Sequence, residues 1–125
     1  MDARDLAIVK GLSAVAWADG RVNAQETAVI DALLAAYQAT PSEIHEVKQF
    51  AASTRSLHDI ELHELGVDDR RVLLHHAVIL TFADGEQHPD EKRLIEDLAA
   101  ELHLAPLDAA RVVQSAEIHA RALLA

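Results

Sequence analysis

The sequence matches itself when it is shifted by 65 positions, and this internal repeat restricts the possible folds more than any other feature. Many residues coincide with identical residues of the second copy. They include Ala18, Asp19, Gly20, Glu26, Ile30, Leu33, Ala35, Pro41, Val47 and Ala51, which fall on Ala83, Asp84, Gly85, Glu91, Ile95, Leu98, Ala100, Pro106, Val112 and Ala116. Because two copies are too few for a solenoid, we expect two pseudo-symmetric three-helix halves around one core. The halves span about 4–53 and 69–123, and residues 54–68 connect them.

Apolar residues recur at helical spacing along almost the whole chain, and no stretch shows the alternation typical of a β-strand. The pattern predicts an all-α fold, with residues 1–125 as a single domain of about seven helices. Their predicted ranges are 4–18, 24–38, 41–53, 57–65, 69–83, 89–103 and 106–123. The run Thr40-Pro41-Ser42-Glu43 is typical of a helix N-terminus, and Gly66 suits the position just after a helix.

The chain has 21 acidic and 11 basic residues, which give a formal net charge of −10. This charge repels phosphate backbones, and an aromatic content of 3% leaves few rings for base stacking, so we expect no nucleic-acid partner. The lack of cysteine excludes disulfides and thiol catalysis. Because neither a signal-peptide pattern nor an apolar run of membrane-spanning length is present, we expect a cytoplasmic protein without direct membrane insertion.

The repeat is centred on two Asp-Gly turns, WADGRVNAQE at residues 17–26 and FADGEQHPDE at residues 82–91. A glutamate follows each aspartate by seven positions. This spacing copies part of an EF-hand loop, but apolar residues occupy the earlier positions where calcium needs oxygen ligands, so a standard EF-hand is excluded. A looser site for Ca²⁺ or Mg²⁺ is the alternative hypothesis. Its candidate metal ligands are Asp19, Glu26, Asp84 and Glu91.

The same acidic residues also have a purely structural interpretation. Glu26 and Glu91 are third residues of predicted helices, where a glutamate accepts a hydrogen bond from the N-cap amide and lies near the positive end of the helix dipole. Asp-Gly is in addition a standard turn pair. On this interpretation the acids shape two turns and bind no ion.

The remaining polar residues predict no catalytic centre. The eight histidines include His75 and His76, which are adjacent and therefore point about 100° apart on a helix. His58 and His63 are five positions apart, which does not place them on one helix face. We therefore predict no histidine metal site. No Ser/His/Asp arrangement, P-loop or dinucleotide-binding motif is recognisable, and we predict that the chain is not an enzyme.

Two apolar features have simple interpretations. Trp17 and Phe82 occupy equivalent places just before the two turns, where we expect them to anchor the core. The last helix carries apolar residues around more than one narrow stripe. We expect most of these residues to pack in the core, and a part of them offers a surface to a partner or to a second copy.

The segments AVAWADGRVNAQETAVIDALL and ILTFADGEQHPDEKRLIEDLA resemble the signature of tellurite-resistance TerB-like domains, which also occur at the front of membrane-anchored DnaJ-like co-chaperones. The resemblance covers nearly the whole chain. It implies an all-helical domain of bacterial stress-response systems, associated with membrane-linked complexes. It also implies that Asp19, Glu26, Asp84 and Glu91 hold a divalent metal, and it implies no established catalytic activity.

Three functions are consistent with these observations. The first is a non-enzymatic TerB-like module that binds a divalent cation and a protein partner in a stress-response or membrane-associated complex. The second is a structural interaction or dimerisation domain without a ligand, in which the acids only cap helices. The third, a metal-dependent enzyme, requires an apolar pocket beside the acids.

Overall fold

The computed structural model describes residues 1–20, 24–82 and 87–124 of the chain, with side chains for 1–20, 26–82 and 87–123. Helices are the only regular elements within these ranges, which confirms the predicted all-α class. The same ranges contain six α-helices and two short 3-10 turns. The α-helices are α1 (Ala3–Asp19), α2 (Ala24–Ala36), α3 (Pro41–Ala51), α4 (Val67–Thr81), α5 (Pro89–Glu101) and α6 (Pro106–Leu124).

The start of α3 follows the predicted N-terminal signal. The Thr40 hydroxyl accepts a hydrogen bond from the Glu43 amide at 3.2 Å, and the Glu43 carboxylate accepts one from the Thr40 amide at 2.8 Å. This reciprocal arrangement satisfies amides that have no partner inside the helix. Pro41 at the first helical position needs no such partner because it has no N–H.

The prediction of a helix over residues 57–65 is wrong, because this part of the connector forms the 3-10 turns Leu57–Asp59 and Leu62–Glu64. Ile60 between them is extended, with ψ 128°, and its side chain is buried in the core. A continuous helix would use the carbonyls of the connector for its own hydrogen bonds. Here the guanidinium of Arg70 binds two of them instead. It donates hydrogen bonds of 3.1 Å to the backbone oxygens of Leu62, Leu65 and Leu102.

The role predicted for Gly66 also needs correction. Gly66 does not end a helix as a left-handed residue but precedes α4 in an extended conformation, with φ −74° and ψ 177°. Its amide donates a hydrogen bond of 3.0 Å to Oδ2 of Asp69. With no helix before it, the glycine has no left-handed terminus to complete, and the Asp69 carboxylate instead caps the start of α4.

The core lies around α1 and α4, which pack against each other. α1 also packs against α2, α3 and α5, whereas α4 also packs against α5 and α6. The approach of α1 to α4 is close at Gly11, since a methyl group placed on this residue would lie 2.9 Å from Cδ2 of Leu73. Leu73 is fully buried. All six helices contribute buried apolar residues to one cluster.

The connections α2–α3 and α5–α6 have the same backbone conformation. Gln38 and His103, which are 65 positions apart, both have φ 56°. In each connection this left-handed residue donates its N–H to the carbonyl three residues before it, and the next residue donates to the carbonyl five residues before it. The donor–acceptor pairs are Gln38–Ala35, Ala39–Leu34, His103–Ala100 and Leu104–Ala99. Both helices therefore end in a Schellman motif.

Candidate functional site

The first Asp-Gly turn begins where α1 ends. Asp19 is the last residue of α1 and is partly buried, and Gly20 follows in the left-handed conformation with φ 72°. The Gly20 amide donates to the carbonyl of Trp17 at 3.0 Å. Glycine adopts this conformation without the strain that a β-carbon would introduce, which explains why the turn contains the Asp-Gly pair.

Two glutamates of the repeat are almost completely buried. Glu26 in the first turn of α2 is 5% exposed, and Glu91 in the first turn of α5 is 3% exposed. No other carboxylate is buried among the side chains that the structure describes. Transferring one carboxylate from water to a protein interior costs several kcal/mol unless charges or hydrogen bonds compensate it. The sequence repeat therefore places one buried carboxylate in each half.

Glu91 caps α5 as the structural interpretation predicts. Its Oε1 accepts a hydrogen bond of 3.0 Å from the His88 amide, and helix α5 starts at the next residue, Pro89. Glu43 makes the equivalent bond at the start of α3 but remains partly exposed. Capping by itself therefore does not require a buried carboxylate, and the deep burial of Glu91 is an additional property.

The predicted metal site lies partly outside the residues that the structure describes. Asp84 lies outside the described residues, so the proposed set of four ligands stays a prediction. Within the described ranges, no group of three or more Asp, Glu or His side chains is arranged so that it could hold a metal ion. Asp19, Glu26 and Glu91 therefore do not by themselves form such a group.

Of the two aromatic residues before the turns, Phe82 belongs to the core cluster. Phe82 is 8% exposed. Trp17 is partly buried, and its indole Nε1 donates a hydrogen bond of 2.8 Å to the carbonyl of Ala51 at the end of α3. Trp17 also lines a cavity of about 240 Å³ between α1, α2 and α3. This hydrogen bond connects the last part of α1, where the first turn begins, with the end of α3 in the same half.

A second candidate region, a groove of about 410 Å³ between α4 and α6, was not predicted from the sequence. His75 on α4 and His119 on α6 meet beside it, with His75 Nε2 and His119 Nδ1 3.2 Å apart. His76 also lines the groove, and its ring lies nearly perpendicular to that of His75. Because His75 and His119 are 44 positions apart, no local spacing signals the pair.

The groove combines basic and titratable side chains in a protein that is otherwise acidic. Arg71 and Arg111 line it, and Arg71 is paired with Asp108 at 2.7 Å and with Asp68 at 2.6 Å. Burial, and next the charge of His119, lowers the pKa of His75. Burial is also the main cause that lowers the pKa of His76, followed by the charges of its two histidine neighbours. Both rings are therefore neutral at neutral pH.

Comparison with known proteins found no relative. No protein-family model matches the chain, and neither a curated protein nor a solved structure matches it. None of the helices in the described ranges combines the length and apolar composition that crossing a bilayer requires.

Proposed function

We propose that this chain is a non-enzymatic, TerB-like helical module that binds a divalent cation through the acids of its two Asp-Gly turns and presents a surface to a protein partner. The partner belongs to a cytoplasmic stress-response complex, of the kind associated with tellurite resistance or with a membrane. The observation that carries the proposal is the burial of Glu26 and Glu91 at equivalent positions of the repeat.

The proposal includes two halves related by an approximate two-fold axis. Three observations support this relation. The Schellman motifs after α2 and α5 are equivalent in both conformation and hydrogen bonding. α1 packs on α2 and α3 as α4 packs on α5 and α6, and α1 packs on α4. Such an arrangement gives the two turns comparable surroundings. The acids of both halves can then bind one shared ion or two similar ions.

Calcium or magnesium suits this site because both ions prefer carboxylate and carbonyl oxygens. A buried carboxylate also gains from a cation, since the ion offsets the cost of taking negative charge out of water. The acidic character of the whole protein, with a net charge of −10, raises the local concentration of cations.

A purely structural module is the second candidate, and the hydrogen bond from the His88 amide to Glu91 favours it. On this alternative the glutamates stabilise helix starts, and the domain contributes only an interaction surface. The two candidates differ in whether the charge of Glu26 and Glu91 serves a ligand or only the fold.

Thermal unfolding with and without Ca²⁺ or Mg²⁺ separates the two candidates. An ion that binds only the folded chain raises its stability by about 2.7 kcal/mol at 100 times the dissociation constant. We expect this increase for the wild type and its loss in Glu26→Gln and Glu91→Gln. Glutamine keeps an acceptor oxygen for the capping bond and removes only the charge.

Glu43→Gln is the matched control, because Glu43 caps α3 from the same helical position but is partly exposed and lies outside the two turns. It should keep the full response to the ion. An unchanged melting temperature of the wild type at millimolar Ca²⁺ and Mg²⁺ would refute the cation part of the proposal and favour the structural module.

The stress-response part is tested in cells. A strain that lacks the gene should grow less well on medium with tellurite than its parent, and the wild-type gene should restore growth. The Glu26→Gln/Glu91→Gln double variant should restore it poorly, whereas Glu43→Gln should restore it fully. Equal growth of the deletion strain and its parent contradicts a role in tellurite resistance.

A further inference from the structure

Two imidazole nitrogens from different helices face each other at the surface between α4 and α6. His75 Nε2 and His119 Nδ1 are 3.2 Å apart, and the ring centroids are 5.5 Å apart. His75 is partly buried, whereas His119 is exposed to solvent. The two histidines therefore connect the helices at a place that water and ions reach.

We propose that His75 and His119 form a two-histidine binding site for a transition-metal ion of the Zn²⁺ class, which bridges α4 and α6. This site is separate from the acids of the Asp-Gly turns and does not depend on the function proposed above. Imidazole nitrogen is a preferred ligand of Zn²⁺, Cu²⁺ and Ni²⁺, whereas Ca²⁺ and Mg²⁺ prefer oxygen.

The separation of the two nitrogens fits such an ion. Zinc binds histidine nitrogen at roughly 2.0–2.1 Å, and two ligands of a tetrahedral ion at this distance are about 3.3–3.4 Å apart. The observed 3.2 Å is therefore close to one edge of a zinc coordination tetrahedron. Binding requires both side chains to rotate from this head-on contact until the two lone pairs point at one ion.

Metal binding needs a free lone pair on each of the two facing nitrogens. A histidine binds a metal through the lone pair of a neutral ring. In the contact without metal, one of the two facing nitrogens carries the hydrogen. When the ion binds, this hydrogen moves through water to the opposite nitrogen of the same ring, so that both facing nitrogens offer lone pairs.

The site has two protein ligands and completes its coordination with water. No third Asp, Glu or His joins the pair to make a metal-binding group in the parts of the chain that the structure describes. His76 follows His75 directly and points to a different side of α4, with a ring centroid 6.1 Å away. An incomplete set of protein ligands is typical of an open, exchangeable site rather than a closed structural one.

The surrounding charges allow a cation to approach. Arg71 lines the groove, but its positive charge is paired with two aspartates. Arg111 is the other cationic residue of the groove lining, against a net charge of −10 for the whole chain. The overall negative charge of the protein favours divalent cations, although two arginines line this groove.

Isothermal titration of the full chain with Zn²⁺ tests the proposal, with Mg²⁺ as the comparison ion. We expect one zinc ion per chain for the wild type. His119→Gln and His75→Gln should each weaken zinc binding by more than about tenfold, because even the loss of a residue that only supports a metal ligand costs about 10–100-fold. His45→Gln, which changes an exposed histidine on α3, should bind zinc like the wild type.

His119→Gln decides the test if His75→Gln folds poorly, because His119 is exposed and its replacement leaves the core intact. Zinc should also raise the melting temperature of the wild type but not that of His119→Gln. Wild-type zinc affinity in His119→Gln, or no heat of binding at millimolar zinc, overturns the proposal. Because Glu26→Gln and Glu91→Gln should keep zinc binding, failure of the turn site and failure of the histidine site are separately visible.

Discussion

Gln38 and His103 should be sites where a single substitution stabilises the protein. Both residues are exposed and hold a left-handed conformation with φ 56°. This conformation costs an ordinary residue about 1–2 kcal/mol because its β-carbon crowds the backbone, and glycine avoids this cost. Glycine loses about 0.5–1 kcal/mol more in backbone entropy on folding. The balance predicts that Gln38→Gly and His103→Gly each raise the free energy of unfolding by about 0.5–1 kcal/mol.

The repeat leads to a second prediction for Gln38 and His103. Because the two connections have the same φ and the same hydrogen bonds, the two substitutions should have equal effects within about 0.3–0.5 kcal/mol, and the double variant should show their sum. Ala32→Gly is the control, since Ala32 is an exposed residue in the interior of α2. There glycine should lower stability by about 0.8–1 kcal/mol.

Urea unfolding followed by far-UV circular dichroism measures all four variants, since loss of helix is the dominant signal of an all-α chain. Opposite signs for Gln38→Gly and Ala32→Gly show that the backbone conformation, rather than glycine as such, determines the effect. If either Gln38→Gly or His103→Gly lowers the stability as Ala32→Gly does, the reasoning about the Schellman motifs is refuted.

Two further predictions concern α1 and α4. Gly11→Ala should destabilise the protein by up to about 2 kcal/mol, because overpacking against Leu73 costs about 1–3 kcal/mol and helix propensity returns about 1 kcal/mol. In a urea double-mutant cycle, Leu73→Ala should relieve this overpacking, and strict additivity would contradict the contact. Stability should also fall as the pH decreases from about 7 towards 5. Burial lowers the pKa of His75 and His76 in the folded state below the unfolded value of about 6.5. The unfolded chain therefore binds more protons in this pH range, which favours unfolding. A His75→Gln/His76→Gln variant should show a weaker dependence in urea titrations at several pH values, and an unchanged slope would contradict the assignment.

The helix starts were predictable because their signals are local. Thr40 and Glu43 carry the capping information within four residues, and the structure contains both bonds. The segment after Ser56 also begins with a cap, but its continuation depends on distant residues. Ile60 is drawn into the core and Arg70 binds the surrounding carbonyls, so tertiary contacts override the local preference for a helix.

The two candidate sites also differ in how much of each was predictable from the sequence. The repeated glutamates were found from the sequence because identical residues recur at one offset, and their burial was not predicted because it depends on how the helices pack. The contact between His75 and His119 carries no local signal at all, since it arises from the packing of α4 against α6. The sequence argument considered only the adjacent pair His75 and His76, whereas the contact partner of His75 lies on another helix.

The bond between the Trp17 indole and the Ala51 carbonyl has a practical consequence. Trp17 is the only tryptophan of the chain, and it lies just before the first Asp-Gly turn, whereas the equivalent position of the second half holds Phe82. The protein therefore carries an intrinsic fluorophore on one half only. Fluorescence excited in the indole band reports the surroundings of the first turn and hardly responds to the second. An ion that entered one turn before the other would therefore change the emission only when it reached the first turn, and no added label is needed.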